Sequence, residues 1–144
     1  MYIHHINLLA VLIAVIANMV LGSLWYSKLL FGKAWMAGIG KTEEEIKKGN
    51  TGMAYGAATI GAIIVAFVLS HLILNVAWVD MNNPIAIKVM SGMKVATYCW
   101  LGFVVPINLA ETFFEGKSKI VSIINAFFHL VEFNVMAFII VSMN

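Results

Sequence analysis

The sequence predicts an all-α integral membrane protein, folded as a four-helix bundle, and three observations indicate this fold class. Hydrophobic residues make up 62% of the 144 positions and charged residues 11%, whereas soluble domains carry about 25% charged residues. The mean hydropathy is +0.93. Four apolar stretches are each long enough to cross a hydrocarbon core of about 30 Å. They cover residues 6–26, 52–78, 93–114 and 120–143, so residues 1–144 are predicted to form one transmembrane domain.

The first stretch is interpreted as a retained transmembrane helix. It is apolar for about 20 residues, which is longer than the apolar region of a signal peptide, and no lysine precedes it. His4 and His5 lie just before it. Because adjacent residues project in different directions from a helix, we interpret the two histidines as interfacial residues without a special role.

A short amphipathic segment is predicted along the cytoplasmic membrane surface between the first and second helices. Trp25, Tyr26 and Trp35 are expected to anchor this region at the lipid headgroups, where aromatic side chains are enriched. Thr42 and Glu45 follow with the spacing of a capping box, which predicts a short solvated helix.

The lysines predict the orientation and narrow the choice of partners. Seven of the nine lysines lie in the first and third connections, and the other two are Lys88 and Lys94. By the positive-inside rule, both termini of this multi-pass cell-membrane protein face away from the cytoplasm. The sequence contains no arginine, which disfavours nucleic acid as a partner. The lipid bilayer is the expected partner.

The second and third stretches contain residues that affect helix packing. Gly52, Gly56 and Gly61 are small enough to let another helix approach closely, which predicts helix packing and self-association. Gly102 and Pro106 predict a kink, because the proline nitrogen cannot bond to the glycine carbonyl. Cys99 is the single cysteine, so an intrachain disulfide is excluded.

The fourth stretch carries the candidate site. His129 and Glu132 are three residues apart and share one helix face, and an ionisable pair at membrane depth is a functional-site hypothesis. With a rise of about 1.5 Å per residue, Asn125, His129 and Glu132 lie about 8, 14 and 18 Å from the cytoplasmic end. The same calculation places Asn18, Asn108 and Glu111 near this layer. These six residues predict a polar pocket that binds a ligand or a proton.

Three functions remain open from the sequence. The first is binding or transport of a small solute or ion, with Glu132 accepting a proton, His129 as its partner and the asparagines orienting the ligand. The second is a scaffold or accessory subunit, in which such side chains only join helices, at about 1 kcal/mol each. The third, an enzyme acting on lipid or quinone, is indicated only by the aromatic interfacial segment. We predict no catalytic residue, cofactor or metal, since His71 lies about 9 Å from Glu132 in depth.

Two motifs resemble a known family. Gly22-Ser-Leu-Trp-Tyr-Ser27 and Leu30-Phe-Gly-Lys-Ala-Trp35 look like the first helix and following loop of small four-helix, bacterial-type membrane proteins termed a domain of unknown function. The stretch from Phe114 to Leu130 is similar as well. The resemblance implies the four-helix fold and supplies no activity and no functional residue.

Overall fold

A computed structural model describes residues 5–77 and 79–144, and within these residues the chain forms helices and no strands. The α-helices are α1 Leu8–Trp25, α2 Gly32–Ile39, α3 Glu43–Lys48, α4 Thr51–His71, α5 Ile85–Cys99, α6 Val105–Phe114 and α7 Lys119–Ser142. Two π-helical turns extend α4 (Leu72–Val76) and join α5 to α6 (Trp100–Val104). His4 and Trp78, the predicted end of the second span, lie outside the described residues.

Four helical segments are long and apolar enough to cross a membrane, which confirms the all-α prediction and the number of candidate spans. They are Leu8–Trp25, Thr51–Val76, Ile85–Phe114 and Lys119–Ser142. The third segment is longer than predicted, because its helix begins at Ile85 and not at residue 93. Pro84 directly precedes the first helical residue. Pro84 has an extended backbone (φ −50°, ψ 144°) and, since it lacks an N–H, leaves no unpaired donor at the position before the helix.

Helix α7 lies at the centre of the structure and runs antiparallel to α1. Asn7 caps α1 by accepting hydrogen bonds from the N–H groups of Leu9 and Ala10. Its Nδ2 donates to Met143 O at the far end of α7, at 3.0 Å. Helix α4 packs against both α1 and α7. The buried core includes Val11, Ala14, Val15, Ala62, Ala66, Leu69, Ile73, Leu74, Ala96, Met136, Ala137, Ile140 and Val141.

Glycine allows close packing at positions other than those predicted. A Cβ atom on Gly92 of α5 would lie 2.5 Å from Val141 Cγ2 of α7, so the two helices touch there. By contrast, Gly52, Gly56 and Gly61 of α4 are exposed, and a Cβ on Gly56 or Gly61 would meet nothing within 4 Å. These three glycines therefore pack against no helix of the described chain, and self-association through them stays a prediction.

The segment between α1 and α4 matches the predicted amphipathic piece in position. Helix α2 lies against the start of α7 and ends at Gly40, whose φ of 66° favours glycine. The capping box at the start of α3 is confirmed. Thr42 N donates to Glu45 Oε2 at 2.7 Å, and Glu45 N donates to Thr42 Oγ1 at 3.3 Å.

Candidate functional site

Glu132 is the centre of the candidate site, and the residue as a whole is 5% exposed. Its Oε1 accepts a hydrogen bond of 2.7 Å from Asn18 Nδ2, and its Oε2 lies 2.6 Å from His129 Nδ1. Asn18 reaches Glu132 because one face of α1 packs on α7. The other buried residues of that face are Ala10, Val11, Ala14 and Val15. The structure thus brings together three of the six predicted residues.

His129 connects this buried carboxylate to the surface of the bundle. The histidine side chain is 41% exposed, whereas that of Glu132 is 6% exposed. The imidazole stands edge-on to the ring of Phe128, with centroids 5.3 Å apart. The ring therefore faces Glu132 with Nδ1, while part of it lies at the surface of the bundle.

Asn18 has one polar atom without a partner. Its Oδ1 is buried and accepts no hydrogen bond from any described residue, which costs about 1–3 kcal/mol for a buried acceptor. A half-turn of the amide would bring Oδ1 to Glu132, where it would accept a hydrogen bond from a protonated carboxyl group. The side chain at position 18 can therefore serve both the carboxylate and the carboxylic acid.

Asn125 belongs to a separate cluster that holds the loop after α1. Tyr26 Oη donates to Asn125 Oδ1 at 2.9 Å, and Trp25 Nε1 donates to Ile124 O at 3.2 Å. The ring of Phe128 packs on Tyr26, with centroids 5.3 Å apart. The polar atoms of Trp25 and Tyr26 therefore form hydrogen bonds with α7. The sequence had instead favoured contact of these side chains with lipid headgroups. Trp35 packs edge-on against Tyr26 at 5.3 Å, so it supports the same cluster.

The comparison with known protein families decides the classification. A family model described as a protein of unknown function (DUF1761) matches residues 9–141. The chain belongs to this family. The match covers nearly all of the four candidate spans and confirms the predicted resemblance. No curated protein and no solved structure matches the chain.

Two predicted residues of this DUF1761 protein lie away from Glu132. Asn108 of α6 lines a groove between α6 and α7, and Glu111 pairs with Lys117 at 2.6 Å. This hydrogen bond from Lys117 to Glu111 raises the pKa of the lysine. Ala126 of α7 lines the same groove. At 3.6 residues per turn, Ala126 and Glu132 are about 120° apart around α7. Asn108 and Glu111 were predicted to lie at a depth similar to that of Glu132, but they are on another side of α7. The predicted six-residue pocket is therefore not assembled.

Two contacts that were not predicted from the sequence join α5 and the π-helical turn Trp100–Val104 to α7. Thr97 and Asn134 exchange side-chain hydrogen bonds of 3.2 and 3.3 Å. Trp100 Nε1 donates to Ala126 O at 2.7 Å, which places the π-helical turn Trp100–Val104 against α7 on the side of the groove, about 120° around the helix from Glu132. Pro106 was the available signal, since it predicted a disturbed helix. The disturbance takes the form of a π-helical turn.

The remaining candidate groups do not assemble a metal site. Among the described residues, no three His, Cys, Asp or Glu side chains come close enough together to hold a metal ion. His71 is exposed at the end of α4. The hydrogen-bond partners of the Glu132 carboxylate among the described residues are therefore Asn18 and His129.

Proposed function

We propose that this chain is a multi-pass membrane protein that holds a proton at Glu132 and His129 and couples its release to binding or transport of a small solute or ion. The observation that supports this most is the burial of Glu132, 5% exposed, within a candidate span. Ionisable side chains inside membrane spans are costly, and they commonly mark ion pathways and proton relays.

The charge of Glu132 requires compensation. Among the described residues its ion-pair partner is His129, and no lysine contacts it. A buried carboxylate without a compensating positive charge is strongly unfavourable. A proton on Glu132, a proton on His129 or a bound cation can each supply the compensation. The site is therefore suited to exchanging a proton for a cationic group.

His129 supplies the route for the proton. An imidazole has two ring nitrogens, so it can accept a proton at one and donate a proton from the other. Its Nδ1 is 2.6 Å from Glu132 Oε2 while the side chain is partly exposed. A proton can enter at the exposed edge and reach the carboxylate through the ring. Asn18 then accommodates either form of Glu132 by turning its amide.

A solute would reach this site by displacing the side chains that now fill it. The contacts that we propose for the solute are Asn18, His129 and Glu132. A cationic group would take the place of the proton beside the carboxylate.

A scaffold function is the second candidate, and the same hydrogen bonds support it. The contact between Asn18 and Glu132 joins α1 to α7, and the contact between Thr97 and Asn134 joins α5 to α7. Polar side chains in membrane proteins often join helices in this way without further chemistry. A test must therefore separate proton binding from helix packing.

Glu132→Gln makes this separation, because glutamine keeps the size of the side chain and an oxygen that accepts from Asn18. The full chain, purified in mild detergent, is titrated while infrared difference spectra record the carboxylic acid band. We expect one component of this band, from a buried carboxylic acid, to depend on pH in the wild-type protein and to be absent from Glu132→Gln. The other six acidic side chains contribute equally to both proteins. In weak buffer, addition of NaCl, KCl or tetramethylammonium chloride is expected to release protons from the wild-type protein only.

Thr97→Val is the matched control. It removes a helix-joining hydrogen bond and leaves Glu132 intact, so the band and the proton release should persist. An identical titration of Glu132→Gln and wild type would contradict a proton site at Glu132. If the band titrates but none of the cations releases protons, coupling to cations is contradicted and the scaffold function is favoured.

A further inference from the structure

A groove on another side of α7 is independent of Glu132. It lies between α6 and α7 and has a volume of about 340 Å³. Its apolar walls include Val105, Leu109, Phe113, Ile123, Ala126 and Phe127. No residue of α6 is buried, so the groove opens outward from the bundle along a candidate span.

Two polar bridges close the floor of the groove. Trp100 Nε1 donates to Ala126 O at 2.7 Å, and Thr112 Oγ1 lies 2.6 Å from Ser122 Oγ. These bonds satisfy the side chains of Trp100, Thr112 and Ser122. Apart from Asn108 and Lys119, the remaining lining is apolar and is suited to hydrocarbon. From Lys119 to Phe127 the groove extends about 12 Å along α7. This length approaches one leaflet of a hydrocarbon core that is about 30 Å thick.

The charged end of the groove has both signs. Lys119 lines the groove and takes part in none of the ion pairs between described residues. Lys117, in the turn that joins α6 to α7, is shared by two carboxylates, with Glu111 at 2.6 Å and Glu115 at 3.4 Å. One positive charge is therefore in excess at Lys119, and one negative charge is in excess around Lys117.

We propose that this groove binds a phospholipid with a primary amine in its headgroup, of the phosphatidylethanolamine class. One acyl chain lies between α6 and α7, the phosphate pairs with Lys119, and the ammonium group pairs with Glu115. The charges of this headgroup complement both excess charges at the groove end. A phosphatidylglycerol headgroup leaves the carboxylate unpaired, and the quaternary ammonium of phosphatidylcholine has no N–H to donate.

Native mass spectrometry of the full chain tests the proposal. The protein in mild detergent is mixed with equal amounts of phosphatidylethanolamine, phosphatidylcholine and phosphatidylglycerol, and the retained lipid is measured. We expect phosphatidylethanolamine to be retained in preference to the other two. Lys119→Gln should reduce its retention about threefold, the effect of losing one exposed ion pair. Ile123→Trp should reduce it further by filling the groove.

Matched controls separate these effects from changes in folding. Lys33→Gln removes an exposed lysine of α2, and Ile120→Trp enlarges an exposed residue of α7 outside the groove lining; both should retain lipid like the wild type. Glu115→Gln should abolish the preference for phosphatidylethanolamine over phosphatidylcholine. Equal retention of the three lipids, or unchanged retention in Ile123→Trp, would overturn the proposal. A dimer that retains no lipid would also overturn the proposal, because a second copy of the chain would then cover the groove.

Discussion

Polar residues of similar types lie on two sides of α7, yet their burial and their contacts differ. Towards α1, Glu132 and Asn18 are buried and joined by a hydrogen bond of 2.7 Å. Towards α6, Asn108 is half-exposed beside an open groove. Residue type and depth are therefore insufficient to identify a site. How closely the neighbouring helix packs on α7 decides which polar side chains form hydrogen bonds with each other and which remain exposed in a groove.

Side-chain size explains why one neighbour approaches and the other does not. Ala10 and Ala14 of α1 are fully buried, and a Cβ on Gly22 would lie 3.6 Å from the ring of Phe128. Small residues let helix backbones come close together. In α6, the large side chains of Leu109 and Phe113 line the groove instead. Close packing thus closes the interface between α1 and α7, whereas an open groove remains between α6 and α7.

The largest effect is expected from removing an amide on each side of α7. Asn18→Leu deprives a buried carboxylate of a hydrogen bond and should lower the free energy of unfolding by about 2–3 kcal/mol. Asn108→Leu, in the open groove, should change it by about 0.5 kcal/mol or less. Thermal unfolding of both variants in the same detergent measures the difference. Equal destabilisation would show that the two sides are packed alike.

A smaller effect is expected from adding a methyl group to glycine. Gly92→Ala forces a Cβ against Val141, 2.5 Å from its Cγ2, and should destabilise the fold by about 2 kcal/mol. Gly56→Ala meets open space and should be neutral or stabilising by about 0.5 kcal/mol, because alanine favours helix. The unfolding midpoints of the two variants test this. If Gly56→Ala is the more damaging, a second molecule covers that face of α4.

The smallest effect concerns a carboxylate outside the spans, in contrast to Glu132. Hydrogen bonds from Lys28 and then Lys47 lower the pKa of Glu43 from 4.5 to about 2. Because the folded value is the lower one, the stabilisation is present above pH 4.5 and is lost as the pH falls through about 2. The side-chain carbon resonance of Glu43 should titrate accordingly. Lys28→Gln should move the midpoint towards 4.5, and Lys33→Gln should not move it.

The sequence was informative where the signal is local. The four apolar stretches, the capping box at Thr42 and Glu45, and the likeness to a family of unknown function all depend on residues close together in the chain. The start of the third helix was predicted eight residues too late, because Lys88 and Ser91 were interpreted as part of a connection. A polar residue near a membrane surface is compatible with both a loop and a helix end.

The candidate site was predictable only in part. His129 and Glu132 are three residues apart, so helix geometry alone places them together. Asn18 was correctly grouped with them by depth, but depth grouped Asn108 and Glu111 with them as well. Counting residues along a helix measures height and gives no information on which neighbouring helix faces a given side chain.

The amino-acid sequence alone determined that this chain is helical, apolar enough to enter a membrane at four places, and equipped with an acidic residue deep in the last span. These properties follow from composition and from spacing within single helices. Tertiary packing determined that Glu132 meets Asn18, that Asn125 holds a loop, and that Asn108 borders a groove. The rotation of each helix about its own axis sets these contacts, and that rotation depends on the side chains of all neighbouring helices at once.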